Sequence, residues 1–169
     1  MSEVFLALGA NLGDRKLNFF KTIDQLKKIG KIKTIGGLYQ SNAYGYTDQP
    51  FFLNSALLME TEMKPETLLV SCKNIEKIVG RKKDYRWRAR EIDLDIIFYG
   101  NLVSRKKNLT IPHPDFHNRR FVLLPLADIC KKFISPTHLV SVGELLKICP
   151  DTTPIKLISK KWYYSEPQI

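Results

Sequence analysis

Arg90-Glu91-Ile92-Asp93-Leu94-Asp95-Ile96-Ile97-Phe98 decides how this chain is read. Branched and aromatic residues alternate with polar ones, the pattern of a β-strand with one buried face. Side chains two apart in a strand share a face. The spacing therefore puts Ile92, Leu94, Ile96 and Phe98 on a core face, and Glu91, Asp93 and Asp95 on the other. Carboxylates so close repel one another unless cations lie between them. Rigid, closely spaced carboxylates suit a hard divalent cation such as Mg2+. A D-x-D pair is also short and common, and it describes equally well a solvated strand face with basic neighbours.

The segment before this strand adds weight to the cation. Gly80 to Arg90 carries six cationic side chains and one acid, with Trp87 among them. Arginine holds phosphate oxygens through paired hydrogen bonds, and an indole covers a planar ring. A cationic arm beside a divalent-metal site is what a polyphosphate needs, although a solvated basic loop would look the same.

Further upstream, Pro65 to Val79 reads as a helix with Leu68, Leu69, Cys72, Ile75 and Val79 inward, started by proline and stopped by Gly80. Phe51 to Thr61 reads as a strand with Phe52, Asn54, Ala56 and Leu58 on one face. The Asn54 carboxamide offers a donor and an acceptor together. It matches either the edge of a heterocycle or a tie to buried backbone. Ser41 to Pro50 is a loop by its turn residues, and Lys31 to Gln40 a strand interrupted by Gly36-Gly37. Glu3 to Ala10 is a buried first strand. Gly9 to Asp14 turns the chain into a helix N-capped by Asp14, with Leu17, Phe20, Ile23 and Leu26 inward and an end near Gly30. That turn lacks the lysine and the glycine spacing of a Walker loop, so it reads as structural.

Downstream, Tyr99-Gly100-Asn101 makes a turn and Leu109 to Pro114 is extended. Prolines on both sides of His113 argue against a helical metal pair with His117. A third helix runs to about Lys132 and a short last one covers Ser141 to Cys149, while Asp151 to Ile169 is weakly patterned and receives no assignment. Strand-helix-strand-strand-helix-strand fits an α+β ferredoxin-like sandwich, a mainly antiparallel sheet with helices packed on its faces. One domain over residues 1–169 is expected.

Composition sets the bounds. The 169 residues suffice for one domain, and 44% hydrophobic with 26% charged content indicates a globular class. No apolar run reaches the roughly 18 residues of a membrane span. Met1-Ser2-Glu3-Val4 leads straight into a strand, so no signal peptide is expected. Cys72, Cys130 and Cys149 form neither a disulfide framework nor a zinc motif, which suits a reducing, cytoplasmic setting. The net charge of +10 favours an anionic partner, although much of the excess is scattered lysine.

Four separated segments then align in order. They are Gly9 to Asp14; Asp48-Gln49-Pro50 through Phe52-Leu53-Asn54; Arg90-x-x-Asp93-Leu94-Asp95; and Pro112-His113 through Arg119-x-Phe121-Val122-Leu123-x-Pro125-Leu126. On them the chain resembles the 6-hydroxymethyl-7,8-dihydropterin pyrophosphokinases of folate biosynthesis, over roughly residues 3 to 130. The resemblance implies transfer of the β,γ-diphosphate of ATP to the pterin hydroxymethyl oxygen, giving AMP. It implies two Mg2+ ions held by Asp93 and Asp95, one ion also helping to orient and acidify the pterin hydroxyl. Arg81, one of Lys82 or Lys83, Arg90, His113 and Arg119 would grip the triphosphate, with Arg81 and Arg90 in catalytic roles. Phe52 and Phe121 would sandwich the pterin, Asn54 would bond its edge, and the backbone of Ser41, Asn42, Ala43 and Tyr44 would read the rest. Glu76, Ile96, Leu109 and Thr110 fall near the adenosine, and Trp87 would seal the loop. A single-function monomer, without nucleic-acid or membrane partner, is implied. Arg88, Pro114, Asn108 and Phe52 depart from residues seen in other members.

Two other readings compete. A single-stranded nucleic-acid-binding module would use the basic arm 81–90 and Trp87 for charge and stacking. It leaves Asp93 and Asp95 without a purpose, since bare acids repel phosphate. A palm-type nucleotidyltransferase would release pyrophosphate, and no further acid pair is seen on a nearby strand to complete its site.

Overall fold

The computed structural model describes residues 1–43, 48–81 and 89–163. In chain order it contains β1 (Ser2–Ala10), α1 (Arg15–Leu26), β2 (Lys31–Ile35), β3 (Leu38–Ser41), β4 (Phe52–Thr61), α2 (Pro65–Val79) and β5 (Asp93–Tyr99). A hairpin of β6 (Ser104–Lys106) and β7 (Leu109–Ile111) follows, then α3 (Arg120–Cys130), α4 (Val142–Ile148) and β8 (Ile155–Ser159).

Local chemistry sets most of these boundaries. The Asp14 carboxylate accepts from the Leu17 N–H and starts α1. Pro65 opens α2, and Gly80, at φ +132°, ends it. The break between β2 and β3 falls at Gly36-Gly37, where α3 lies directly on the backbone. A Cβ on Gly36 would meet the Pro125 carbonyl oxygen at 2.5 Å, so no larger residue fits without moving the helix. Ser141 and Glu144 form a reciprocal capping box that starts α4.

The sheet is antiparallel, in the order β5-β1-β4-β3-β8, with β2 also paired to β4. Helices α1 and α2 cover one face, where Val4, Leu6, Leu8 and Leu94 pack with Phe19, Ile23, Leu68 and Cys72. Helices α3 and α4 cover the other, where Phe5, Ala7, Ala56 and Phe98 pack with Val122, Leu123, Leu126 and Leu145. This is the expected ferredoxin-like arrangement, extended by a second helical layer and an extra edge strand. Among the described residues no helix is long and apolar enough to cross a membrane.

Three expectations need correction. Phe98 does not share a face with Leu94 and Ile96. Phe5 opposes Phe98 while Leu6 opposes Ile96, so Ile97 is the extra residue of a β-bulge and the alternation reverses there. The same strand begins only at Asp93, which leaves Glu91 off the ladder. In α1 the inward aromatic is Phe19, and Leu17 is 46% exposed. Buried polar residues hid this phase. Asn18 Nδ2 donates to the Leu12 and Glu91 carbonyls, and Thr22 Oγ1 donates to the Asn18 carbonyl, so both turn inward despite their polarity.

The C-terminal segment, which receives no assignment from the sequence, holds β8 and a buried Trp162. Most of β8 is exposed at the sheet edge, so its apolar signal is weak. Trp162 lies against Phe19 and Phe20, and its Nε1–H donates to the Gly36 carbonyl at 2.8 Å. Trp162→Phe is expected to lower stability by about 1 kcal/mol, the worth of one hydrogen bond. The loss stays small because Ser55 Oγ still donates to the Gly36 carbonyl. Urea titration checks this: the midpoint falls with the slope unchanged.

Candidate active site

Strand register places the acids of β5 beside the smallest residues of β1. Gly9 opposes both Asp93 and Asn54, and Ala7 opposes both Asp95 and Ala56. With almost no side chain between them, the α3-facing surface of the sheet sinks into a cleft of about 370 Å³. Asp93, Asp95 and Arg90 line one side of it, and Phe52, Asn54, Ser41 and Asn42 line the other. His113, Arg119, Phe121 and Val122 close it from the α3 side, with Gln49 at the rim.

The Gly9–Asp14 turn is what joins these parts. Asn11, 2% exposed, donates from Nδ2 to Gln49 Oε1 at 3.1 Å and to the Pro50 carbonyl at 3.2 Å. Its Oδ1 accepts from the Arg90 N–H at 2.8 Å. One buried side chain thus ties the loop before β4 to the segment before β5. The sequence reading found the turn but missed Asn11, whose only local signal was an amide between two glycines. Asn54 resolves into neither of its two readings alone. It is buried, and its Nδ2 donates to Ser41 Oγ at 2.8 Å, so a side chain rather than backbone holds its carboxamide at the cleft wall.

A charge network runs behind the acids. Asp93 receives Arg81 Nη1 on one oxygen and Arg90 Nη1 on the other, each at 3.0 Å. Glu76, 2% exposed, accepts from Arg81 Nη1 at 2.9 Å, from Lys73 Nζ at 3.0 Å and from the Leu94 N–H at 2.8 Å. Burial pushes the Glu76 carboxyl up, with Lys73 opposing. Burial also works against ionisation of Asp93, but Arg90, Lys73 and Arg81 outweigh it and hold that carboxyl below the usual range. Asp95 goes the other way. Burial and then the neighbouring Asp93 charge raise its carboxyl well above the usual range. One carboxyl of the pair is thus held ionised and the other is pushed towards its neutral form.

His113 is neutral at pH 7, because burial first and the Arg119 charge second push it down to about 4. Its Nδ1 accepts from the Asp115 N–H at 3.2 Å, which leaves the proton on Nε2, 4.0 Å from Asp95 Oδ2. The linkage sign follows. Below its ordinary pKa the unfolded chain binds a proton that the folded one refuses. The contribution of His113 to stability is therefore full above about pH 6.5 and is lost towards pH 4, while Asp95, raised to about 7, contributes with the opposite sign. His113→Gln is expected to remove the first contribution, so that stability relative to the parent rises as pH falls from about 6.5 to about 4, as read by denaturant midpoints across this range.

Other expected site residues lie outside the cleft. Glu76 sits behind β5. Ile96 and Leu109 are buried in the core under α1 and α2, and Thr110 is exposed on the hairpin. Ala43 lines a small depression beside Phe121 instead. Tyr44, Lys82, Lys83, Trp87 and Arg88 fall outside the described residues.

Among the described residues no group of three or more His, Cys, Asp or Glu side chains could hold a metal alone. Asp93 and Asp95 still fit Mg2+, which is commonly bound through one or two carboxylates plus substrate phosphates.

Comparison with known proteins shows the family. The family model for 7,8-dihydro-6-hydroxymethylpterin-pyrophosphokinase matches residues 5–131. The chain is 41% identical over 138 residues to the 2-amino-4-hydroxy-6-hydroxymethyldihydropteridine pyrophosphokinase of Aquifex aeolicus, covering 82% of this chain and 86% of that one. It is 38% identical over 160 residues to the protein of the same name from Haemophilus influenzae, covering 93% and 99%. A crystal structure of Plasmodium falciparum HPPK-DHPS with pteroate superposes with a TM-score of 0.71 at 16% identity, which shows the fold alone. The chain covers 44% of that longer protein, and 87% of its own length is matched.

Proposed function

The chain belongs to the 7,8-dihydro-6-hydroxymethylpterin-pyrophosphokinase family, and from that premise we propose how its cleft works. The protein is a pyrophosphokinase of folate biosynthesis acting on a hydroxymethyldihydropterin. The comparisons give no support to the nucleic-acid alternative. The observation that carries the mechanism is the placing of Asp93 and Asp95 along one wall of a cleft whose other walls hold Phe52, Asn54 and Phe121.

In this reading the pterin ring lies between Phe52 and Phe121, with the Asn54 carboxamide and the backbone of Ser41 to Tyr44 at its edge. The hydroxymethyl oxygen then points towards the acids and attacks the β-phosphorus of ATP. The bond from that phosphorus to the oxygen shared with the α-phosphate breaks, AMP leaves, and the hydroxyl proton is lost. Asp93 and Asp95 would hold two Mg2+ ions, which supply charge neutralisation at the phosphates and acidify the attacking hydroxyl. Phosphoryl transfer asks little covalent chemistry of the protein, so positioning and charge suffice.

The cations divide the remaining work. Arg81 and Arg90, which hold Asp93 at 3.0 Å, would also offer their remaining N–H groups to phosphate oxygens. Arg119 and the His113 Nε2–H complete the phosphate wall, the histidine as a neutral donor. Lys82 or Lys83 contributes a further charge and Trp87 covers the pterin, both from the arm outside the described residues. The adenosine extends past β5 towards the hairpin. There Ile96, Leu109 and Thr110 would meet it through backbone, because two of those side chains face the core. Glu76 acts by seating Arg81. The enzyme would work as a monomer in the cytosol.

Incubation with ATP, Mg2+ and 6-hydroxymethyl-7,8-dihydropterin tests the reading. Pterin-dependent AMP without ADP is expected. ADP as the nucleotide product, or no AMP from folded protein, overturns diphosphate transfer from ATP.

A further inference from the structure

The family match stops at residue 131, yet the chain beyond it returns to the cleft. Helix α3 begins poorly by its own means. Its N-cap residue is Arg119, which offers no acceptor, and no side chain from the adjacent sequence caps it. The acceptor comes from Asp151. Its Oδ2 accepts from the Arg120 N–H at 3.1 Å, and its Oδ1 accepts from the Thr153 N–H at 3.0 Å. A carboxylate there also meets the positive end of the helix.

The residues flanking Arg120 are Arg119 and Phe121, both in the cleft wall. The same segment reaches the opposite wall. Ile155 in β8 pairs with Ser41, whose hydroxyl holds Asn54. Asp151, Thr153 and Ile155 line one small depression together with Ser41, Asn42, Ala43 and Phe121. One stretch of chain thus fixes the start of α3 relative to β3, and with it the spacing of the ring on α3 from the groups on β3 and β4.

We propose that Asp151 is a positioning residue for the pterin seat, setting Phe121 against Phe52 by capping α3 from outside it. This rests on the reading of Phe52 and Phe121 as the pterin sandwich. Loss of the cap lets the first turn of α3 fray, and Phe121 lies in that turn. The acids on β5 belong to another element. Arg119 is held from its N-terminal side, its Nε donating to Asp115 Oδ2 at 2.8 Å and its N–H to the Phe116 carbonyl, so the phosphate wall keeps its place.

The test uses the full chain and measures the pterin dissociation constant by fluorescence, KM for pterin and for ATP, kcat, and the thermal midpoint. Asp151→Ala is expected to raise the pterin dissociation constant and KM about tenfold, the effect of a lost cap. KM for ATP should change less than about twofold, well inside the worth of one contact. Asp151→Asn has one acceptor oxygen for the two N–H groups that Asp151 serves, so it should restore the pterin affinity in part. Should Asp151→Ala not fold, Asp151→Ser carries the same test, because its hydroxyl serves Thr153 but does not reach Arg120. A lower thermal midpoint with unchanged pterin affinity overturns the proposal, and so does an equal rise in both KM values. Phe121→Ala separates the two readings. If it weakens pterin binding and the Asp151 variants do not, only the positioning role fails. If it leaves pterin binding intact, the sandwich itself fails.

Discussion

Asp95→Ala is expected to lower turnover by about a thousandfold while leaving the protein folded and able to bind pterin. The size follows from the role proposed for the carboxylate, because losing one of two acids that seat both metals removes charge neutralisation where phosphate charge must be moved. The stability side follows from its environment. In the folded chain burial and Asp93 raise the Asp95 carboxyl. A carboxyl raised by folding is harder to ionise in the folded state, so its charged form opposes folding at neutral pH and that opposition fades as pH falls. Removing it should leave the metal-free protein at least as stable as before, as expected where function strains a site. Pterin binding through Phe52, Asn54 and Phe121 should survive in part. Turnover, the metal-free thermal midpoint and the pterin dissociation constant together check this. Full activity in Asp95→Ala would sink the metal assignment, and a large drop in the midpoint would mean that the acid is structural.

Glu76→Ala is expected to lower stability by about 3 kcal/mol, the range in which a buried ion pair is broken from one side. Glu76 is almost fully buried, and its carboxylate serves Lys73, Arg81 and the Leu94 N–H at once. Leu94 stands between the two acids of β5, on a strand with a single neighbour in the sheet. Without Glu76, that N–H loses its acceptor and Arg81 loses one of its carboxylates. Turnover should fall too, because the strand bearing both acids is no longer held from behind. Glu76→Gln keeps the acceptor for Leu94 and should lose only about 1 kcal/mol. Urea unfolding at neutral pH separates the two variants. Glu76→Ala as stable as the parent would mean that the network contributes nothing and that the cations behind β5 are merely solvated.

The two acids show how far the linear chain can be read. Their i, i+2 spacing was enough to put both on one strand face, and both line the cleft; the metal-dependent phosphate chemistry read from them is a proposal. The motif around Pro112-His113 and Arg119 to Leu126 was enough to name the family. Glu76 shows the limit. Its sequence neighbours suggest a helix residue near the nucleotide, whereas it is the buried acceptor that binds α2 to β5. No pattern within α2 records that, because the Leu94 N–H is supplied by a distant segment.

By itself the sequence determined the element order as far as β5, the capped start of α1, the ends of α2, the D-x-D face and the family. Each of these rests on residues a few positions apart, within the reach of one helical turn or one strand repeat, or on a motif read directly along the chain. Only the tertiary structure decided the bulge at Ile97, the inward turn of Asn18 and Thr22, the Asn11 clamp, the return of β8 with Trp162, and the capping of α3 by Asp151. Those depend on which distant backbone groups come within hydrogen-bonding distance once the sheet has formed. A buried polar group takes whichever partner the packed fold brings to it, and sequence spacing carries no record of that choice.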